Sequence, residues 1–180
     1  MATGEGIRAF LWSAGEQPRE LPILPGSIWA MAFDINDFGD VVGGWSNGVS
    51  YGGFLWTESA GLQAIPGLAS SFTWECQSPV AINNFKQVVG GSNRRAFLWT
   101  EDQGVRDLGL PFESEAHAIN NLGNVVGEYG GFSTVNVRPF IWNQEDGFRD
   151  LPSPARFTEA CAINDGGAER ASGGLGADGD

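Results

Sequence analysis

Few of the residue types that carry out chemistry are present in numbers that could build an active site. The chain has one histidine, His117. A hydrolase of the nucleophile–histidine–carboxylate type needs its base held between two partners. His117 occupies a position that three other copies of the same motif fill with Phe33, Val80 and Cys161, so it reads as a residue admitted by packing. Carboxylates stand close in sequence at Asp34 with Asp37 and at Glu145 with Asp146. General acid–base cleavage of a glycosidic bond needs two such groups converging in a cleft, whereas these fall at turns and wet edges. "NDFGD", from Asn36 to Asp40, lacks the alternating acids and closing glutamate of a calcium loop and reads as a hairpin. Cys76 and Cys161 have no metal-ligand spacing and are expected as free thiols. No catalytic residue, metal site or cofactor is therefore expected.

Aromatic residues are the other candidates. Trp12, Trp56, Trp99 and Trp142 recur at intervals of 44, 43 and 43 residues, and that regularity places them in a core. Trp29, Trp45 and Trp74 do not recur, and with Tyr51, Tyr129 and Phe132 they fall in or beside segments of variable length. Rigid rings displayed on a surface offer large contact area at low entropic cost. These six are the candidate ligand-binding residues, for a carbohydrate or a protein.

The elements that must position them follow from the repeat. "RAFLW", "GGFLW", "RAFLW" and "RPFIW" alternate with an Ile-Asn motif at Asn36, Asn83, Asn120 and Asn164. Each unit reads as four strands: A ending in Ile-Asn, B at "VVG", C at "AFLW", and D at "VRDLG" or its equivalents. Strand D carries Leu21, Ile65, Leu108 or Leu151 nine residues after the tryptophan. Asn120, Asn121 and Gly123 supply the chemistry of a tight A–B turn. Lys86 stands in place of that glycine in the second copy, and a looser turn is expected there. "AFLW" is apolar at successive residues, the pattern of a strand covered on both faces.

Four strands in about 43 residues predict an all-β fold, a β-propeller of four four-stranded antiparallel blades. Length varies between strands D and A and between B and C, while the A–B and C–D connections are constant. One side of the molecule is thus expected to be decorated and the other uniform. The N-terminus supplies only strands C and D and the C-terminus only strand A. If the last segment still pairs, the two ends complete one blade and the ring closes as a monomer. If not, an open edge leads to self-association, and the chain is an incomplete fragment of a larger propeller. Residues 1–168 form the repeat domain; 169–180, rich in Gly and Ala, read as a disordered tail.

With a net charge of −12, no basic stripe is available for nucleic acid or an anionic membrane surface. No apolar run approaches the ~18 residues of a membrane span. "MATGEGIRAFLW" enters the repeat without the order of a secretory signal, as expected of a cytosolic chain or a mature or excised piece of a longer one.

The motifs resemble those of the HAF-repeat family of bacterial, extracellular repeat proteins, whose unit joins an "HAFLW" strand, a "DLG" strand and an "A-x-x-IN-x-x-G-x-VVG" hairpin. The resemblance covers residues 7–168 and departs at the histidine, replaced by Arg8, Gly52, Arg95 and Arg138. It implies an exported or cell-surface scaffold and transfers no catalytic residue. The expected function is non-enzymatic binding through the decorated side. The alternatives are a self-associating piece of a larger surface protein and, by fold analogy alone, a glycan-acting enzyme.

Overall fold

The computed structural model describes residues 6–67, 78–111, 113–130, 136–153, 157–167 and 169–174. These residues contain strands and connections and no helix. Three sheets have four antiparallel strands each. The first is β3 (Trp29–Ile35), β4 (Val41–Ser46), β5 (Tyr51–Thr57) and β6 (Gly61–Ile65). The second is β7 (Ser78–Ile82), β8 (Val88–Ser92), β9 (Arg95–Thr100) and β10 (Gly104–Asp107). The third is β11 (Ser114–Ile119), β12 (Val125–Tyr129), β13 (Arg138–Asn143) and β14 (Gly147–Asp150). Two ribbons flank them, β1 (Phe10–Leu11) with β2 (Arg19–Glu20), and β15 (Phe157–Ile163) with β16 (Glu169–Gly174).

The sheets stack face on face. Val42, Leu55 and Ile65 of the first meet Ile82, Val88, Phe97 and Trp99 of the second. Val89, Leu98 and Leu108 of the second meet Ile119, Val125, Phe140 and Trp142 of the third. Alternate residues of each "FLW" strand therefore enter two different cores, which is why the strand is apolar throughout. Phe54, Phe97 and Phe140 are fully buried.

Polar bonds set the registration between sheets. Asn36, Asn83 and Asn120 each accept through Oδ1 from the backbone N–H groups two and four residues on, closing the A–B turn. Each Nδ2 then donates to the backbone carbonyl of the next unit's asparagine: Asn36 to Asn83 at 3.1 Å, Asn83 to Asn120 at 3.0 Å, Asn120 to Asn164 at 3.0 Å. The neighbouring residues repeat the scheme with backbone and side chain exchanged. The N–H groups of Asp37, Asn84 and Asn121 donate to the side chains of Asn84, Asn121 and Asp165. The Ile-Asn motif is thus both a turn former and a rung between units.

Strand A carries a bulge at one position in every unit, Phe33, Val80, His117 and Cys161, where the pairing skips a residue. The residue at this position lies outside the pairing ladder. The bulge also accounts for a glycine of "VVG". A Cβ on Gly127 would lie 2.0 Å from the Glu115 carbonyl oxygen, and one on Gly43 would lie 1.9 Å from that of Met31.

Four expectations are corrected. Lys86 takes the left-handed conformation (φ 58°) that Gly39 and Gly123 take in the equivalent turns. Its N–H donates to the Asn83 carbonyl as theirs do to Asn36 and Asn120, so the turn is as tight as the others. Trp56, Trp99 and Trp142 are buried, but Trp12 is 66% exposed, because the β1–β2 ribbon has no A and B strands beside it. Glu169–Gly174, expected in a disordered tail, pair with β15 as β16; residues 175–180 lie outside the described ones. Among the described residues the two ribbons remain separate sheets, and the N-terminal strands do not complete a blade with the C-terminal ones.

Asn83 is 3% exposed and holds four hydrogen bonds. Truncating it leaves several buried groups without partners. Asn83→Ala is expected to lower unfolding free energy by about 3 kcal/mol in urea titrations, against about 1 kcal/mol or less for Asn47→Ala in an exposed hairpin. Equal losses would mean that the rung contributes no more than an ordinary turn bond.

Candidate functional site

The β3 edge gathers the first group of candidates. In register, Trp29 stands opposite Ser46 and Ser46 opposite Tyr51. Ser46 is fully buried, and the Trp29 and Tyr51 rings lie on the same face with centroids 6.1 Å apart and planes tilted by 52°. Tyr51 is 52% exposed, and Ile28 and Val49 beside it are exposed as well. Met31 and Phe33 continue the row along β3, both partly open to solvent, with Phe33 turned by the bulge toward Gly44.

Two other candidates serve packing. Trp45 lies on the opposite face of β4, covers Gly52 and donates Nε1–H to the Gly53 carbonyl at 3.2 Å. Tyr129 is buried, packs edge-on against Phe148 and donates its hydroxyl to Asp150 at 2.6 Å. Burial and that acceptor push its pKa above the usual tyrosine range. Trp74 and Phe132, like Cys76, lie outside the described residues. Cys161 is exposed, with its thiol directed at the Glu159 carbonyl at 3.9 Å.

Two of the four carboxylates noted in the sequence join neighbouring sheets. Asp34 accepts from the Ile82 N–H of the next sheet, and Asp37 from the Asn84 side chain. Glu145 and Asp146 belong to the β13–β14 turn, their N–H groups bonded to Asn143.

A second group was not legible. His117 from the β11 bulge, Glu128 from β12 and Glu159 from β15 present one ligand atom each within 4.8 Å of one another. Glu115, directly opposite Glu128 in register, stands next to them. Burial is the main influence on Glu128, with the negative charge of Glu159, a hydrogen bond to Glu159 and the charge of Glu115 acting in the same direction; together they push its pKa up to about 7. The His117 Nε2 is shielded from solvent and has no hydrogen-bond partner among the described residues. Glu115 and Glu159 occupy the same place in the repeat, which Met31 fills in the first unit. That coincidence was the available signal, but Glu128 could join them only through tertiary stacking.

The uniform side of the molecule carries clefts that the sequence did not suggest. One, of about 330 Å³, lies between the β11–β12 and β13–β14 turns and is lined by Asn121, Asn124, Trp142, Gln144 and Glu145 among others. The turn tips on this side present Phe38, Phe85 and Leu122 to solvent, one per turn.

Comparisons with models of known families, with curated proteins and with solved structures gave no match. The family resemblance therefore rests on the motifs alone.

Because the folded protein holds the Glu128 proton more tightly than the unfolded chain, Glu128 favours folding fully below its ordinary pKa of 4.5. That contribution is lost as pH rises through about 7. Glu128→Gln keeps the shape without the charge. Urea midpoints between pH 4.5 and 8 are expected to fall in the parent relative to the variant, and parallel curves would show that Glu128 titrates normally.

Proposed function

We propose that the chain is a non-enzymatic repeat scaffold of the propeller type that binds a carbohydrate or protein through the side carrying its variable connections. The observation that carries this reading is the apolar group at the end of the first sheet. Trp29 and Tyr51 stand over a buried serine, flanked by exposed Ile28 and Val49. Both rings border connections whose length varies from unit to unit, and aromatic pairs held by strand backbones are pre-organised for contact. Asp34 and Asp37, carboxylates that could have suggested catalysis, accept hydrogen bonds from the neighbouring unit, which favours a scaffold over an enzyme. The HAF-like motifs favour the same reading and, with it, a place outside the cell.

A specific observation favours a second reading, association through the ends. The β1–β2 ribbon has the character of strands C and D, the β15–β16 ribbon that of A and B, and the two are not joined. Trp12, Phe10 and Ile7 are exposed on the first ribbon. A second copy, or further repeats of a longer chain, would supply the missing strands in the order used inside the molecule.

A screen of soluble glycans and peptides tests the first reading. Trp29→Ala and Tyr51→Ala are each expected to weaken a hit about tenfold or more, equivalent to about 1.4 kcal/mol, with urea midpoints showing that the fold is retained. A hit that tolerates both changes would remove this face from consideration. For the second reading, light scattering over a dilution series is expected to show mass rising with concentration, and Trp12→Ser should reduce it. A constant monomer mass would exclude association through the ends.

A further inference from the structure

We infer that His117, Glu128 and Glu159 form a binding site for a divalent cation of the zinc type, placed between the third sheet and the β15–β16 ribbon. The three donors come from three strands and already lie within 4.8 Å of one another. A tetrahedral zinc ion, with bonds of about 2.0–2.2 Å to nitrogen and oxygen, needs donors about 3.4 Å apart. Side-chain rotations that move each atom by about 1 Å would achieve this.

The backbone supplies the arrangement independently of the side chains. In the first sheet the bulge residue Phe33 places its ring over Gly44. Gly44 holds the place in its strand that Glu128 holds in β12. The repeat therefore directs its bulge side chain toward this position of strand B. The third unit fills the two places with imidazole and carboxylate, and the following unit adds Glu159. Bulges commonly re-aim side chains at functional sites.

The donor chemistry selects the ion. One imidazole and two carboxylates form a nitrogen–oxygen set that suits zinc, whereas calcium and magnesium prefer oxygen alone. Two glutamates provide the charge that neutralises a divalent ion. The shielded His117 Nε2, without a hydrogen-bond partner among the described residues, is an unsatisfied buried group that a metal bond would satisfy. With three protein donors, a fourth position stays open to water or to a ligand group. Binding would fasten the last ribbon to the third sheet, a role independent of the aromatic face.

The experiment is calorimetric titration of the full chain with zinc chloride, followed in parallel by nuclear magnetic resonance of the imidazole. His117 is the one histidine, so a single resonance reports on the site. One zinc ion is expected to bind with a Kd tighter than about 10 μM and to shift that resonance. His117→Ala and Glu159→Gln should each weaken binding at least about tenfold, in line with the loss of a metal ligand. Glu145→Gln, in a distant turn, should leave it unchanged. Calcium and magnesium should not compete. Absence of binding, or stoichiometric binding that leaves the imidazole resonance unmoved, would overturn the inference even if the variants fold poorly.

Discussion

The architecture depends on one carboxamide repeated along the chain. An asparagine at the end of strand A satisfies two turn N–H groups with its oxygen, and its nitrogen is then available to the neighbouring unit. Both functions are performed in near-complete burial, where an unpaired polar group is costly. Aspartate lacks the donor and serine lacks the reach, so asparagine suits a group that must accept twice and donate outward. Because every rung joins equivalent atoms, successive sheets are held in equivalent registration, and apolar faces that could slide against each other are kept in place.

The bulge preceding the asparagine divides strand A into parts with different freedom. Ala116 and Ala160 stand just before the bulge and are fully buried, where only a small side chain fits, whereas the equivalent Ala32 is exposed. The bulge residue and the position two before it escape that constraint, and here the units diverge. Met31 and Phe33 make the first unit apolar, whereas Glu115 with His117 and Glu159 with Cys161 make the third and fourth polar. Diversity is confined to places where the backbone needs no particular side chain, the usual arrangement for a scaffold whose sites are grafted onto it.

The ends follow from the same interactions. A sheet inside the stack has neighbours on both faces, while each ribbon at an end has lost a neighbour and two strands. Trp12 has the sequence environment of Trp56, Trp99 and Trp142 and is nevertheless exposed. Tryptophan burial here is a property of the assembled unit, and the motif alone does not secure it. Residues 169–174 illustrate the converse. They bear no resemblance to "VVG", yet they pair with β15, because an edge strand's unpaired backbone groups recruit a partner with little regard to side chain.

The amino-acid order alone determined the unit. Its period, its four strands, the tight turn at Asn120 to Gly123 and the two-sided burial of "FLW" are local or periodic properties, set by dihedral preferences and hydrophobic spacing. It also singled out Trp29 and Tyr51, since departure from a repeat is visible without coordinates. Only the tertiary structure decided that Trp45 and Tyr129 pack inward, because Gly52 and Asp150 receive them across strands. Only stacking brought Glu128 and Glu159 together, 31 positions apart in the sequence. Face-to-face contact depends on how two sheets are placed relative to each other, and no spacing within one strand encodes that distance.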